Sequence, residues 1–83
     1  MNPSPELVFS LSLIAAKIFE TRVRDIRGDS RFSEDVAARR SVIVDLHARG
    51  FAYAAIGRAL GKDHSSIRAA VIRVRQLRRV ESP

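Results

Sequence analysis

Apolar residues recur every three or four positions near the start of the chain, at Leu7, Leu11, Ile14, Ala15 and Ile18. That period fits the 3.6-residue turn of an α-helix, not the alternation of a strand. Ser4-Pro5-Glu6 supplies a helix start, with a capping hydroxyl, proline at the first helical position and an acid near the positive end of the dipole. The spacing therefore predicts a first helix from Pro5 to about Phe19, its stripe turned inward to cap the core. The alternative is that its Leu/Phe/Ile face exceeds what so small a domain buries and pairs with a partner or a second copy. A short helical turn is expected over residues 23–26, then an exposed basic loop over residues 28–31. Ser33-Glu34-Asp35 opens the next helix in the same style and Gly50 stops it, with Val36, Ile43 and Leu46 at helical spacing between them. The run "VIV" at residues 42–44 is strand-like, but it is too short to outweigh these flanking signals. A further helix runs from about residue 52 to Leu60 and ends at Gly61, and the last begins after Asp63 and continues towards Arg79. The expected fold is all-α: one small helical bundle over residues 1–83, containing a helix-turn-helix at about residues 52–79.

Composition narrows the chemistry. Hydrophobic residues make up 46% of the 83 positions, enough for a folded globule but only a modest core, which leaves little room for a catalytic cleft. Lys and Arg number 15 against 9 acids, a net charge of +6, and only Lys17 and Lys62 are lysines. An arginine-rich chain suits a polyanionic partner, because guanidinium matches phosphates and guanine edges. Cysteine is absent, which excludes disulfides and thiolate chemistry and accords with a reducing compartment. His47 and His64 are too few and too far apart for a convincing metal site, and no cofactor is expected. The run "LVFSLSLIAA" at residues 7–16 lacks a basic flank and falls short of the roughly 20 residues needed to span a bilayer, so it reads as a core helix. No targeting signal is visible, no membrane association is expected, and the predicted location is the cytoplasm, on the nucleoid.

The stretch "IGRALGKDHSSI", residues 56–67, admits two readings. A nucleotide-binding loop needs four residues between its glycines, then Lys followed by a hydroxyl, all after a buried strand. Here three residues separate Gly57 from Gly61, Asp63 follows Lys62, and "FAYAA" before it lies in a helical pattern. The phosphate-loop reading fails on spacing, chemistry and context. As helix, turn and helix the same letters are consistent: Ile56 and Leu60 lie one turn apart, Gly61-Lys62 makes a tight turn, and Asp63 caps the last helix. His64, Ser65 and Ser66 then occupy its first turn, where a recognition helix presents side chains to bases. At about 100° per residue, Ile67, Ala70, Val71, Val74 and Leu77 face the core, while Arg68, Arg75 and Arg79 share an adjacent face. Ser65, Ala69, Ile72 and Gln76 lie beside that arginine stripe.

"IGRALGKDHSSIRAA" resembles the C-terminal DNA-binding domain of the bacterial replication initiator DnaA. The family shows an Ile-Gly pair, a glycine turn with a basic residue, Asp-His, two hydroxyl residues and an aliphatic. The upstream "VRDIRGDSR" is similar to the family's loop ending in a basic residue, and the resemblance runs from about Ala15 to Leu77. It implies that Arg31 enters a minor groove, that Arg39 lies near the DNA backbone and that Lys62 contacts phosphate. It also implies that Asp63, His64 and Ser65 meet base edges and that Ser66 lies near phosphate. The turn is one residue shorter than the family's Gly-Gly-Arg form, two serines stand where threonines are usual, Ala69 replaces a larger polar residue, and the Pro-Glu before Ile-Gly is missing.

The resulting expectation is a sequence-specific binder of double-stranded DNA at a DnaA-box-like site, a monomer on DNA, regulating replication initiation or transcription. These 83 residues hold no counterpart of the initiator's ATPase module, so the reading head is expected to act without ATPase activity. Its candidate DNA-binding residues are Arg31, Arg39, Lys62, Asp63, His64, Ser65, Ser66, Arg68, Ala69 and Arg75. The rival is an adaptor whose main partner is protein, the replication initiator or another regulator, with weak DNA binding. An enzyme is not expected. Asp45 and His47 do not share a helical face and no nucleophile is placed beside them. Phe9, Phe19, Phe32, Phe51 and Tyr53 are too scattered for a base-stacking platform, which argues against single-strand binding.

Overall fold

Ser4 starts the first helix as its letters predict, its side-chain oxygen accepting from the Leu7 amide at 3.1 Å, with proline in the first turn. The computed structural model describes residues 1–81, and side chains as far as Arg78; five helices, all-α, make up the fold. They are α1 (Pro5–Ile18), α2 (Val23–Arg27), α3 (Ser33–Ala48), α4 (Tyr53–Leu60) and α5 (His64–Glu81). Helix α3 is the spine of the bundle. It packs against α1 on one side and α5 on another, while α2 bridges α1 and α3, and α4 lies against α5.

The core gathers residues from every helix. Val8, Ile26, Val42, Leu46, Ile56 and Ile67 are its largest fully buried apolar side chains, each of a kind that contributes about 1.5–3 kcal/mol on burial. On α1 the buried side is Val8, Leu11, Ser12, Ala15 and Ala16. Ile14 and Ile18, expected inward, instead face solvent. The buried arc is rotated by about 80° from the predicted stripe, towards Val8, Ser12 and Ala16, which leaves Ile14 and Ile18 outside it. Ser12 tolerates full burial because its hydroxyl donates to the Val8 carbonyl at 2.7 Å. Helix α1 ends with Glu20 in the left-handed region (φ 55°) and the Thr21 amide bonded back to the Ala16 carbonyl at 2.9 Å, which turns Thr21 onto α3.

Two other sequence expectations shift. Ser33 is the first helical residue of α3 and not its cap; Phe32 holds the cap position without a side-chain bond. Leu77, expected in the core, is substantially exposed, standing at the edge of an open groove formed with Phe19, Val44 and Val74.

Residues 61–63 join α4 to α5. Gly61 adopts φ 67°, ψ 34°, a conformation that penalises a β-carbon, and the Lys62 amide bonds back to the Gly57 carbonyl at 2.8 Å. Gly57 has a different reason to be glycine. A β-carbon there would lie 2.6 Å from the Lys62 carbonyl oxygen, so the end of α4 and the start of α5 approach too closely for any side chain. Among the described residues no helix is long and apolar enough to cross a membrane.

Candidate nucleic-acid interface

The basic loop between α2 and α3 is fixed by three fastening side chains, Asp35 and Arg39 from α3 and Lys62 from the α4–α5 turn. From α3, Asp35 is buried and its two carboxylate oxygens accept from the hydroxyls of Thr21 and Ser30. Those hydroxyls, Ser30 first and Thr21 second, hold the Asp35 carboxyl below the ordinary aspartate value, helped by the nearby Arg39 charge and opposed by burial. One turn along α3, the Arg39 guanidinium reaches under the loop. Its Nε donates to Ile26 O at 2.6 Å, Nη1 to Ser30 O at 3.2 Å, and Nη2 to Asp25 O at 2.8 Å and Ser30 O at 3.2 Å.

The third tie comes from the α4–α5 turn. Lys62 Nζ donates to Gly28 O at 2.8 Å and to Asp29 Oδ1 at 2.5 Å. The ammonium, by hydrogen bond and by charge, holds the exposed Asp29 carboxyl below its ordinary value. Arg27 adds a bond from Nη2 to Ala59 O at 3.3 Å, linking α2 to α4. The loop that carries Arg31 is thus latched to α3 and to the start of α5.

An open groove of about 790 Å³ lies between this loop, α3 and α5. Arg31, Arg39, Arg40, Lys62 and Arg73 contribute cations to its lining, and Ser66 and Gln76 contribute neutral polar groups. On α5, Ser66, Ala69, Arg73 and Gln76 turn towards it, at the three- and four-residue spacing of one helical side. Val71 is buried on the opposite side, and Ile67, also buried, belongs to the groove lining. Arg68 and Arg75 are exposed, but the wheel places them about 140–160° round the helix from Arg73. The exposed surface of α5 therefore has two cationic edges with Ser65, Ala69, Ile72 and Gln76 between them.

Arg31, Arg39, Lys62, Ser66 and Ala69 meet around the groove. Asp63, His64 and Ser65 stand exposed at the start of α5. The Asp63 carbonyl accepts from the amides of Ser66 at 3.0 Å and Ile67 at 3.2 Å, which gives it the cap position, and its Oδ1 lies 3.3 Å from His64 Nδ1. Arg39 and Lys62 differ from the expected pattern in one respect: both cations already donate to the loop, so they act first as its fasteners. The Arg79 side chain lies outside those described. Arg40 and Arg73 were not singled out in the sequence. The i, i+7 relation of Ser66 to Arg73 was the available signal for the second, whereas Arg40 depends on tertiary packing. Among the described residues no three His, Cys, Asp or Glu side chains gather as a metal site. Comparison with family models, curated proteins and solved structures finds no match for this chain.

Proposed function

We propose that the chain binds double-stranded DNA, using α4, the turn at residues 61–63 and α5 as a helix-turn-helix. The observation that carries this reading is the double-edged α5 beside a latched basic loop. A major groove has a phosphate strand along each wall and base edges on its floor. Helix α5 has Arg73 along one edge, Arg68 and Arg75 along the other, and short or neutral side chains between. Arg31, on the loop across the groove, is in this reading the cation offered to the adjacent minor groove. In this reading His64, Ser65 and the exposed Asp63 carboxylate read bases, Ser66 and the arginines hold phosphates, and Arg39 and Lys62 support the surface while adding to its positive field.

Together with the likeness of residues 56–70 to the initiator's DNA-binding domain, this supports recognition of a DnaA-box-like site. By occupying such sites without ATPase chemistry of its own, the protein would modulate replication initiation or transcription. The test is selection of bound duplexes from a random pool. A DnaA-box-like motif should be enriched with wild-type protein, and His64→Ala or Ser65→Ala should relax the preference, with about 1–3 kcal/mol of discrimination lost at the contacted base. A pool that stays random while the protein is folded would sink the reading.

A further inference from the structure

Helix α1 is apolar on nearly every side, although only one side is buried. Phe9 is 50% exposed, Leu13 41%, Ile14 56% and Ile18 68%, all on one 14-residue helix. On the wheel Phe9 and Leu13 fall about 40° apart on one flank of the outward strip and Ile14 and Ile18 about 40° apart on the other, and so much exposed apolar surface on a small domain marks an interaction site. We propose that this face docks a second copy of the chain, the two α1 helices packing antiparallel about a twofold axis.

Charge selects that occupant. The chain carries +6, so two copies repel one another over most approaches. Helix α1 is the exception: its charged residues are Glu6 near one end and Lys17 near the other, which sum to zero. Both are exposed, as is Ser10. Positions 6, 10, 13 and 17 follow a four-three-four spacing and fall within about 60° of one another, the geometry of a helix–helix seam.

The order of residues is self-complementary when one helix is reversed against another. With the axis between residues 11 and 12, Glu6 faces Lys17 of the second copy and Ser10 faces Leu13, while Phe9 and Ile14 flank the seam on its two sides. The twofold repeats each pair, giving two opposite-charge contacts outside a centre of Ser10 and Leu13. Parallel pairing would instead set Glu6 on Glu6 and Lys17 on Lys17. Antiparallel packing also opposes the two helix dipoles.

The face lies apart from the candidate nucleic-acid surface, because α1 packs on α2 and α3 whereas the groove is built from α3, α5 and the loop. The proposal therefore stands independently of the DNA reading. Two helices about 21 Å long bury less than the about 800 Å² per partner of a tight complex, so association should be reversible and concentration-dependent. A second copy thus joins the monomer expected from the sequence as concentration rises.

Sedimentation of the full chain without DNA, over a concentration series, should show mass moving from monomer towards dimer. Leu13→Glu, at an outward position, should raise the dimer dissociation constant by about tenfold or more with helical content unchanged. Glu6→Lys and Lys17→Glu should each weaken association by about fivefold, and the double variant should recover to within about twofold of wild type. A chain that remains monomeric throughout, a dimer indifferent to Leu13→Glu, or a double swap weaker than either single change would each overturn the proposal. Because no duplex enters the measurement, its failure leaves the DNA reading intact.

Discussion

Gly57 and Asp35 are small features with large leverage. A β-carbon at position 57 would meet backbone, not a movable side chain, so α4 and α5 must separate to admit it. Gly57→Ala should therefore destabilise the fold by about 1–3 kcal/mol, read as a lower Tm, and duplex affinity should fall further than the unfolded fraction explains. A Tm equal to wild type would show that the two helices yield freely. Asp35 acts through protonation. The folded protein holds its carboxyl below the ordinary aspartate value, so the stabilisation it provides is complete above about pH 4 and is lost as pH falls through the folded value. Asp35→Asn should lower Tm at about pH 7, and the gap from wild type should narrow towards about pH 2.5. A gap constant with pH would assign the loss to shape and not to charge.

Among the helices, α5 separates two kinds of arginine. Arg73 is exposed and lines the groove, whereas Arg39 on α3 spends its donors on loop carbonyls. Arg73→Ala should leave Tm unchanged, weaken specific and random duplexes alike, and reduce the salt-dependence slope by about one. Arg39→Ala should lower Tm and weaken binding through loss of loop order; equal Tm values for the two variants would contradict this division. The helices themselves were largely legible in the sequence, because Ser4-Pro5, Gly50 and Gly61 are local signals acting on local backbone. Which side of α1 turns inward was not. A wheel sums apolar character, and on a helix with so few polar residues the outcome depends on which side meets the rest of the bundle, here that of Val8, Leu11, Ser12, Ala15 and Ala16. The capacity of Arg39 and Lys62 to hold a loop was hidden for a related reason, since their partners lie up to 34 positions away in sequence.

Across the whole molecule, the helices are secured by their own backbone ladders and a shared core, but the loop at residues 28–31 is secured mainly by side chains reaching in from α3 and the α4–α5 turn. Such a segment has its own opening equilibrium, separate from global unfolding. Amide hydrogen exchange should detect it: Lys62→Ala should speed exchange at Gly28 and Phe32, whose amides bond Arg24 O and Ser30 Oγ, while Leu46 and Val42 in α3 keep their protection. Uniform loss of protection would mean that loop and bundle open as one unit. The three fasteners thus set how much of the time Arg31 is held beside α5. Binding strength for a ligand touching both elements would scale with that fraction, so substitutions that never meet the ligand can tune it.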